Sequence, residues 1–304
     1  MKKVKIGNAL LYNGDCLAVL KTFADESVDC CVTSPPYWGL RSYGTTNEIG
    51  AEKVPEDYIN NLTKIYSELH RILTNKGTIW LNLGDAYNNK QLLGLPWRVA
   101  LSLQANGWIL RSDVIWQKPN VMPQNVNDRP TTEHEYLFLL SKNKNYYYDN
   151  NSMLEPLHPE SEKRYAYGFG SPSKKEKLVE TGKWHTGKNG RNNLCGNIEL
   201  NRKFRNKRTV WRVTTKSYKG AHFAVYPADL IEPCILASCP SGGTVLDIFA
   251  GSGTTGIVAL KHNRKFIGCE LNEDYFDNIL CPRFRDIGYS VRTEPHNEHE
   301  QISY

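Results

Sequence analysis

Apolar positions along the chain keep two rhythms. Compact runs such as Val28-Asp29-Cys30-Cys31-Val32-Thr33 and Thr78-Ile79-Trp80-Leu81-Asn82-Leu83 read as buried strands. Between them, Ile59, Leu62, Ile65, Tyr66, Leu69, Ile72 and Leu73 recur with helical spacing, which predicts a helix over Tyr58 to Leu73 that Lys76-Gly77 ends. Ala9-Leu10-Leu11-Tyr12 predicts a short strand closed by the turn Asn13-Gly14-Asp15, followed by a helix through Leu17, Val19, Leu20 and Phe23. Further on, a helix is expected over Trp97 to Ala105, with strands over Trp108 to Gln117 and Glu135 to Ser141. The alternation resumes with a helix over Ala228 to Ala237, a strand over Thr244 to Phe249, a helix over Gly253 to Leu260, a strand over Lys265 to Glu270 and a helix from Asp274. Strands alternating with helices predict an α/β protein built on a mostly parallel sheet.

The rhythm breaks between about residues 156 and 219. Long apolar runs vanish, and between Glu160 and Lys219 there are 16 Lys or Arg against five acids. That excess is larger than the net charge of the whole protein, +6, so the remainder is acidic on balance. The stretch reads as a basic insertion, partly looped. Four parts follow: 1–155, the insertion 156–219, 220–293, and a polar tail at 294–304. With 304 residues, 40% hydrophobic and 23% charged, the chain suits a folded protein with a sizeable core. No run approaches a membrane span. No apolar core follows the basic start before Tyr12-Asn13-Gly14-Asp15, so a cytoplasmic protein is expected. The eight cysteines show no paired ligand spacing; free buried thiols are expected and no metal site.

Two segments carry chemistry. Gly251-Ser252-Gly253-Thr254-Thr255-Gly256 is a literal G-x-G-x-x-G between a strand and a helix, and Glu270 ends the next strand. Glycines let the backbone turn sharply and approach a ligand, and the carboxylate accepts hydrogen bonds from ribose hydroxyls. A nucleoside ligand is expected, with nicotinamide, flavin and S-adenosylmethionine all open at this point. The second segment, Ser34-Pro35-Pro36-Tyr37, ends a buried strand, where open α/β sheets bind ligands. The two prolines stiffen the corner and remove two N–H donors. A hydroxyl, an outward carbonyl and a flat ring make a pocket suited to a planar amine.

Together, Ser34-Pro35-Pro36-Tyr37 and Asp247-Ile248-Phe249-Ala250-Gly251-Ser252-Gly253 resemble the amino-group DNA methyltransferases. Their order, with the catalytic corner first, a basic region next and the cofactor loop last, resembles the beta-class, circularly permuted arrangement. Asn13-Gly14-Asp15-Cys16, Gly77 to Asp85 and His222 to Pro227 add to the likeness, which spans nearly all of the chain outside the insertion. The resemblance implies a Rossmann-like, S-adenosylmethionine-dependent methyltransferase fold, circularly permuted, with the insertion as target-recognition region. It implies that Glu270 holds the cofactor ribose, that Asp15 binds the adenine amino group, and that Asp247 orients the methionine end. Phe249, Ala250, Gly251, Ser252 and Gly253 would line the cofactor.

Ser34, Pro35, Pro36 and Tyr37 would be catalytic, with acceptors at Ser34 and the Pro35 carbonyl meeting the amine and Tyr37 stacking on a flipped base. In the family a serine at this position goes with N4 of cytosine, and Asp or Asn with N6 of adenine, so Ser34 favours cytosine. Arg41, Arg202, Lys203, Arg205, Lys207 and Arg208 would contact duplex DNA. The resemblance leaves open a cognate restriction endonuclease, and a monomer or a homodimer. His134 and Glu135 are read as ordinary structural residues. Other readings are N6-adenine transfer, a nicotinamide oxidoreductase, a silent DNA-binding module and an RNA substrate.

Overall fold

The structure, a computed structural model, describes residues 1–40, 48–161, 203–215 and 226–286, and the backbone of 291–292. The chain opens with β1 (Lys2–Ile6), β2 (Ala9–Asn13), α1 (Cys16–Leu20) and β3 (Val28–Thr33). Then come α2 (Pro55–Ile72), β4 (Leu73–Leu83), β5 (Tyr87–Asn88), β6 (Gln91–Leu92), α3 (Leu95–Ala105), β7 (Ile109–Gln117) and β8 (His134–Ser141). Two short strands, β9 (Leu154–Pro156) and β10 (Phe204–Asn206), precede β11 (Val210–Arg212). The last part holds α4 (Ala228–Ser238), β12 (Thr244–Asp247), α5 (Thr254–Lys261), β13 (Lys265–Glu270), α6 (Glu273–Tyr275), a π-helical turn at Phe276–Leu280, α7 (Cys281–Asp286) and β14 (Val291–Arg292).

Ten strands form one sheet in the order β11-β7-β8-β4-β3-β12-β13-β2-β1-β14. Its centre, β4-β3-β12-β13-β2, is parallel. With β11 also parallel to β7, most pairings in the sheet are parallel, as expected. Strand β8 runs antiparallel to both β4 and β7, and β1 runs antiparallel to β2. The hairpin between β1 and β2 turns through Gly7 at φ 57°; Lys3 and Lys5 break the apolar run, which hid β1 from the sequence pattern. The reversal of β8 has a functional consequence. It brings the start of β8 to the carboxyl ends of the parallel strands, opposite Leu83.

Helix α2 shows why the sequence folds as read. Pro55 opens it, Glu56 and Asp57 occupy the first turn and His70 and Arg71 the last, so both ends match the helix dipole. Its stripe from Tyr58 to Ile72 is buried against the sheet in the main core. Arg71 fastens the end by donating to the Leu20 and Phe23 carbonyls and to Asp25 and Glu68.

The described chain divides into two compact units, residues Met1–Ser152 with Arg208–Tyr304, and Met153–Lys207. The smaller unit ends at Lys207, before the end expected for the insertion at 219. The reason lies in β11, which pairs in parallel with β7 and buries Trp211 beside Trp80, ring centres 6.0 Å apart. Within the smaller unit, β9 and β10 pair antiparallel. The seven described cysteines are all buried free thiols; Cys195 lies outside the described residues.

Candidate active site

The glycine loop leaves β12 at Asp247. Ala250 donates its N–H to the Cys269 carbonyl at 2.8 Å, which ties the loop to β13. Gly251 and Gly253 take left-handed φ values of 51° and 79°. At Gly253 a side chain would also collide with Phe284 and Leu280, with a Cβ only 2.5 Å and 2.6 Å from their atoms. Glycine is required there twice over, by conformation and by packing.

Glu270 closes β13 beside this loop. One carboxylate oxygen accepts the Gly251 N–H and the other the Asn272 N–H, both at 2.9 Å. Burial pushes its carboxyl up to about 7, against the pull of those two N–H groups. Each oxygen keeps further lone-pair capacity for a ligand hydroxyl. Asp15 caps α1, its Oδ1 accepting from Ala18 N at 2.8 Å, at the neighbouring carboxyl end of β2. Phe249 is half-buried against the core. Ser252 faces inward, its carbonyl and hydroxyl both held by Arg283, at 2.9 Å and 3.1 Å.

Asp247 is anchored within the protein. It is 1% exposed. Its Oδ1 accepts from Thr33 Oγ1 at 2.7 Å and from Phe249 N at 3.1 Å. Its Oδ2 accepts from Thr255 Oγ1 at 2.6 Å and Tyr226 OH at 3.0 Å. Tyr226 OH and Thr255 Oγ1 also hydrogen-bond each other, so the two hydroxyls share their protons with the carboxylate as a network. Burial raises its carboxyl above the usual range, opposed by those donors. Asp247 is a brace, and through Thr33 it grips the residue immediately before Ser34.

Ser34 to Tyr37 form the corner at the end of β3. Pro35 is buried, and Ser34, Pro36 and Tyr37 are half-buried. The Pro36 carbonyl accepts from Tyr58 OH at 3.0 Å. Among the described residues no donor reaches the Pro35 carbonyl. The Tyr37 ring lies against Gly84, where a Cβ would come within 2.6 Å of it. Tyr37 OH donates to Glu135 Oε2 at 2.7 Å and lies 3.3 Å from Ser34 Oγ. Burial and then the Glu135 charge push the Tyr37 phenol well up, so it stays protonated.

Residues 28–280 match the N6/N4 family model described as DNA methylase. This chain belongs to the DNA methylase family. It is 40% identical over 303 residues to Type II methyltransferase M.Cfr9I of Citrobacter freundii, spanning 90% of this chain and 87% of that one. It is likewise 40% identical over 291 residues to Type II methyltransferase M.SmaI of Serratia marcescens, spanning 86% of each. Among solved structures, PvuII DNA methyltransferase (cytosine-N4-specific) matches with a TM-score of 0.65 at 21% identity over 94% of each chain. The M1.HpyAVI–SAM complex matches with a TM-score of 0.54 at 18% identity, covering 90% of this chain and 99% of that one. The fold is that of S-adenosylmethionine-dependent DNA methyltransferases.

In this methylase, sequence reasoning missed Glu135, taken as an ordinary strand-start residue. Its carboxylate joins Tyr37, Asn82 and Lys118 at the Ser-Pro-Pro-Tyr corner. The signal was the polar pair His134-Glu135 ahead of five buried residues, Leu137 to Ser141. The residues expected on DNA are spread differently. Lys203, Lys207 and Arg208 are exposed, whereas Arg205 is half-buried and paired with Glu155 at 2.8 Å. Arg41 and Arg202 lie outside the described residues.

Proposed function

We propose that this methylase transfers a methyl group from S-adenosylmethionine to the exocyclic N4 amine of cytosine in duplex DNA, as the modifying member of a restriction–modification pair. The observation that carries the base assignment is Ser34, a hydroxyl beside the Pro35 carbonyl at the carboxyl end of β3. Support comes from the cytosine-N4 specificity of the PvuII enzyme and the Type II naming of the M.Cfr9I and M.SmaI relatives. The order of the two motifs along the chain also fits the beta-class arrangement.

The residues on the β12–β13 edge fit this cofactor. Glu270 is fixed by two backbone N–H groups with acceptor capacity to spare, which suits a ribose diol. Gly251 and Phe249 would border the adenosine, and Asp15 Oδ2 would face its amino group. When bound, the cofactor supplies an activated methyl on a sulfonium. Everything else belongs to the protein. Cytosine's amine is a weak nucleophile because its lone pair is spread into the ring. Ser34 Oγ and the Pro35 carbonyl accept its two N–H bonds, hold the nitrogen in line for attack and stabilise its growing positive charge. Stiff prolines keep both acceptors aimed before the base arrives. Tyr37 offers a ring face to the flipped base. Exposed Lys203, Lys207 and Arg208 supply phosphate contacts.

The test is incubation with S-adenosylmethionine and unmethylated duplex DNA of high sequence diversity, then mass spectrometry of the digested nucleosides. N4-methylcytosine is the expected product. N6-methyladenine would keep the chemistry and refute Ser34 as base selector. Methylation of RNA in preference to duplex DNA would refute the substrate.

A further inference from the structure

A serine hydroxyl has no fixed polarity. It donates one hydrogen bond and accepts two, so by itself it meets an incoming amine with either its proton or its lone pairs. An amine that is to be held by its N–H bonds needs lone pairs only. The site contains a device that settles this. Glu135 is a carboxylate, so in the line Ser34–Tyr37–Glu135 it only accepts. Tyr37 has one proton, and it is spent on Glu135 Oε2 at 2.7 Å. The Tyr37 oxygen is then left to accept, and the neighbour placed to donate to it is Ser34 Oγ at 3.3 Å. With its proton turned toward Tyr37, Ser34 presents lone pairs to the pocket.

We infer that Glu135 is a positioning residue that sets the direction of this hydrogen-bond line and so makes Ser34 a one-way acceptor for the target amine. The inference rests on the methyl-transfer reading above. The surroundings of Glu135 hold it to the task. Lys118 forms an ion pair with its Oε1, and Asn82 donates to Oε2 at 3.0 Å while also bonding the Tyr136 carbonyl. Lys118 itself sits 4.5 Å over the Trp116 ring. The two charged side chains are 15% and 19% exposed, so the pair is shielded but not sealed. The Tyr37 ring is seated by the missing side chain of Gly84. The residues come from β3, β4, β7 and β8, and the antiparallel turn of β8 brings Glu135 to the corner.

A second conclusion follows for the identity of residue 34. A carboxylate there would be an acceptor without help, whereas a serine needs the line behind it.

The test is a double-mutant cycle on the full-length protein, reading single-turnover methyl transfer at saturating cofactor and DNA. Glu135→Gln keeps the shape but offers Tyr37 an amide that both donates and accepts. In the otherwise native protein it is expected to slow transfer about 10- to 100-fold, the worth of one charge-assisted hydrogen bond, with cofactor Kd unchanged. In a Ser34→Ala background the same change is expected to slow the residual rate less than about twofold, because the line then ends on nothing. Equal losses in both backgrounds would show that Glu135 acts on the fold rather than through Ser34, and would overturn the inference. So would an unimpaired Glu135→Gln enzyme. If Glu135→Gln does not fold, Tyr37→Phe breaks the same line and enters the same cycle with the same expectations. An inactive native protein would instead refute the methyl-transfer reading, which keeps the two failures apart.

Discussion

Asp247 and Glu135 are both carboxylates at which several donors converge, yet they serve opposite ends of the site. Asp247, under the glycine loop, is sealed from solvent and held in a network of neutral hydroxyls and a backbone N–H. Glu135, at the Ser-Pro-Pro-Tyr corner, is partly open and shared among a phenol, an amide and an ammonium. A buried carboxylate at the centre of such a network fixes geometry, because any movement strands several donors at once. A carboxylate with a cation and one reactive neighbour fixes the direction of a proton. On the proposed reading, the glycine-loop edge is rigid and the Ser-Pro-Pro-Tyr corner is polar in one sense.

The largest expected effect breaks the rigid half. Asp247→Ala strands Thr33 Oγ1 and the Phe249 N–H and takes the shared acceptor from the Tyr226–Thr255 pair. A loss of about 3 kcal/mol or more in urea unfolding is expected, since each stranded buried donor costs about 1–3 kcal/mol before relaxation. Cofactor affinity and transfer rate should fall together, because Asp247 holds both the loop and the residue before Ser34. Unchanged stability would refute the brace.

A smaller effect sharpens the contrast through pH. The Glu270 carboxyl is raised to about 7 from an ordinary 4.5, with burial as the main cause. Between those values the folded protein keeps a proton that the unfolded chain has released. Stability of the cofactor-free protein due to this group is therefore greatest below pH 4.5, falls as pH rises to about 7, and is level above it. Cofactor binding runs the other way, since ribose hydroxyls donate to the ionised form. Calorimetry should give a Kd about tenfold tighter at pH 8 than at pH 6, the change in ionised fraction for a group titrating near 7. Glu270→Gln should flatten both slopes. A native Kd that ignores pH would refute the ribose role.

What the sequence disclosed follows the same division. The glycine loop, Glu270 and the Ser-Pro-Pro-Tyr corner were legible because their chemistry lies in contiguous residues whose spacing is itself the signal. The parallel centre was legible because strands buried on both faces read as apolar runs. Glu135 was not legible. Its partners Tyr37, Asn82 and Lys118 lie up to 98 positions away, and only the reversed direction of β8 assembles them. Strand β11 was hidden for a related reason. Three residues inside a basic stretch become a strand only because β7 offers an edge and Trp80 a surface for Trp211. The protein partners of Asp247 were not legible either, because Thr33 and Tyr226 come from segments far from it in the chain.

The smallest effect separates two roles at one residue. Asp15 uses Oδ1 to cap α1 through Ala18 N, which leaves Oδ2 for the proposed contact with the cofactor's amino group. Asp15→Ala removes both functions and should cost about 1 kcal/mol of stability, the usual worth of a cap, along with cofactor affinity. Asp15→Asn divides them. Its carbonyl oxygen caps as well as a carboxylate does, so the melting temperature should hold. With that oxygen committed to Ala18, the NH₂ of the new amide is turned toward the ligand, and a donor then meets the donor of an adenine amine. Cofactor Kd should weaken about tenfold, as expected when one hydrogen bond to a charged group is replaced by an unpaired donor. Equal cofactor affinity in the native protein and Asp15→Asn, at equal stability, would leave Asp15 a helix cap alone and place the recognition of the adenine elsewhere on the β2–β13 edge.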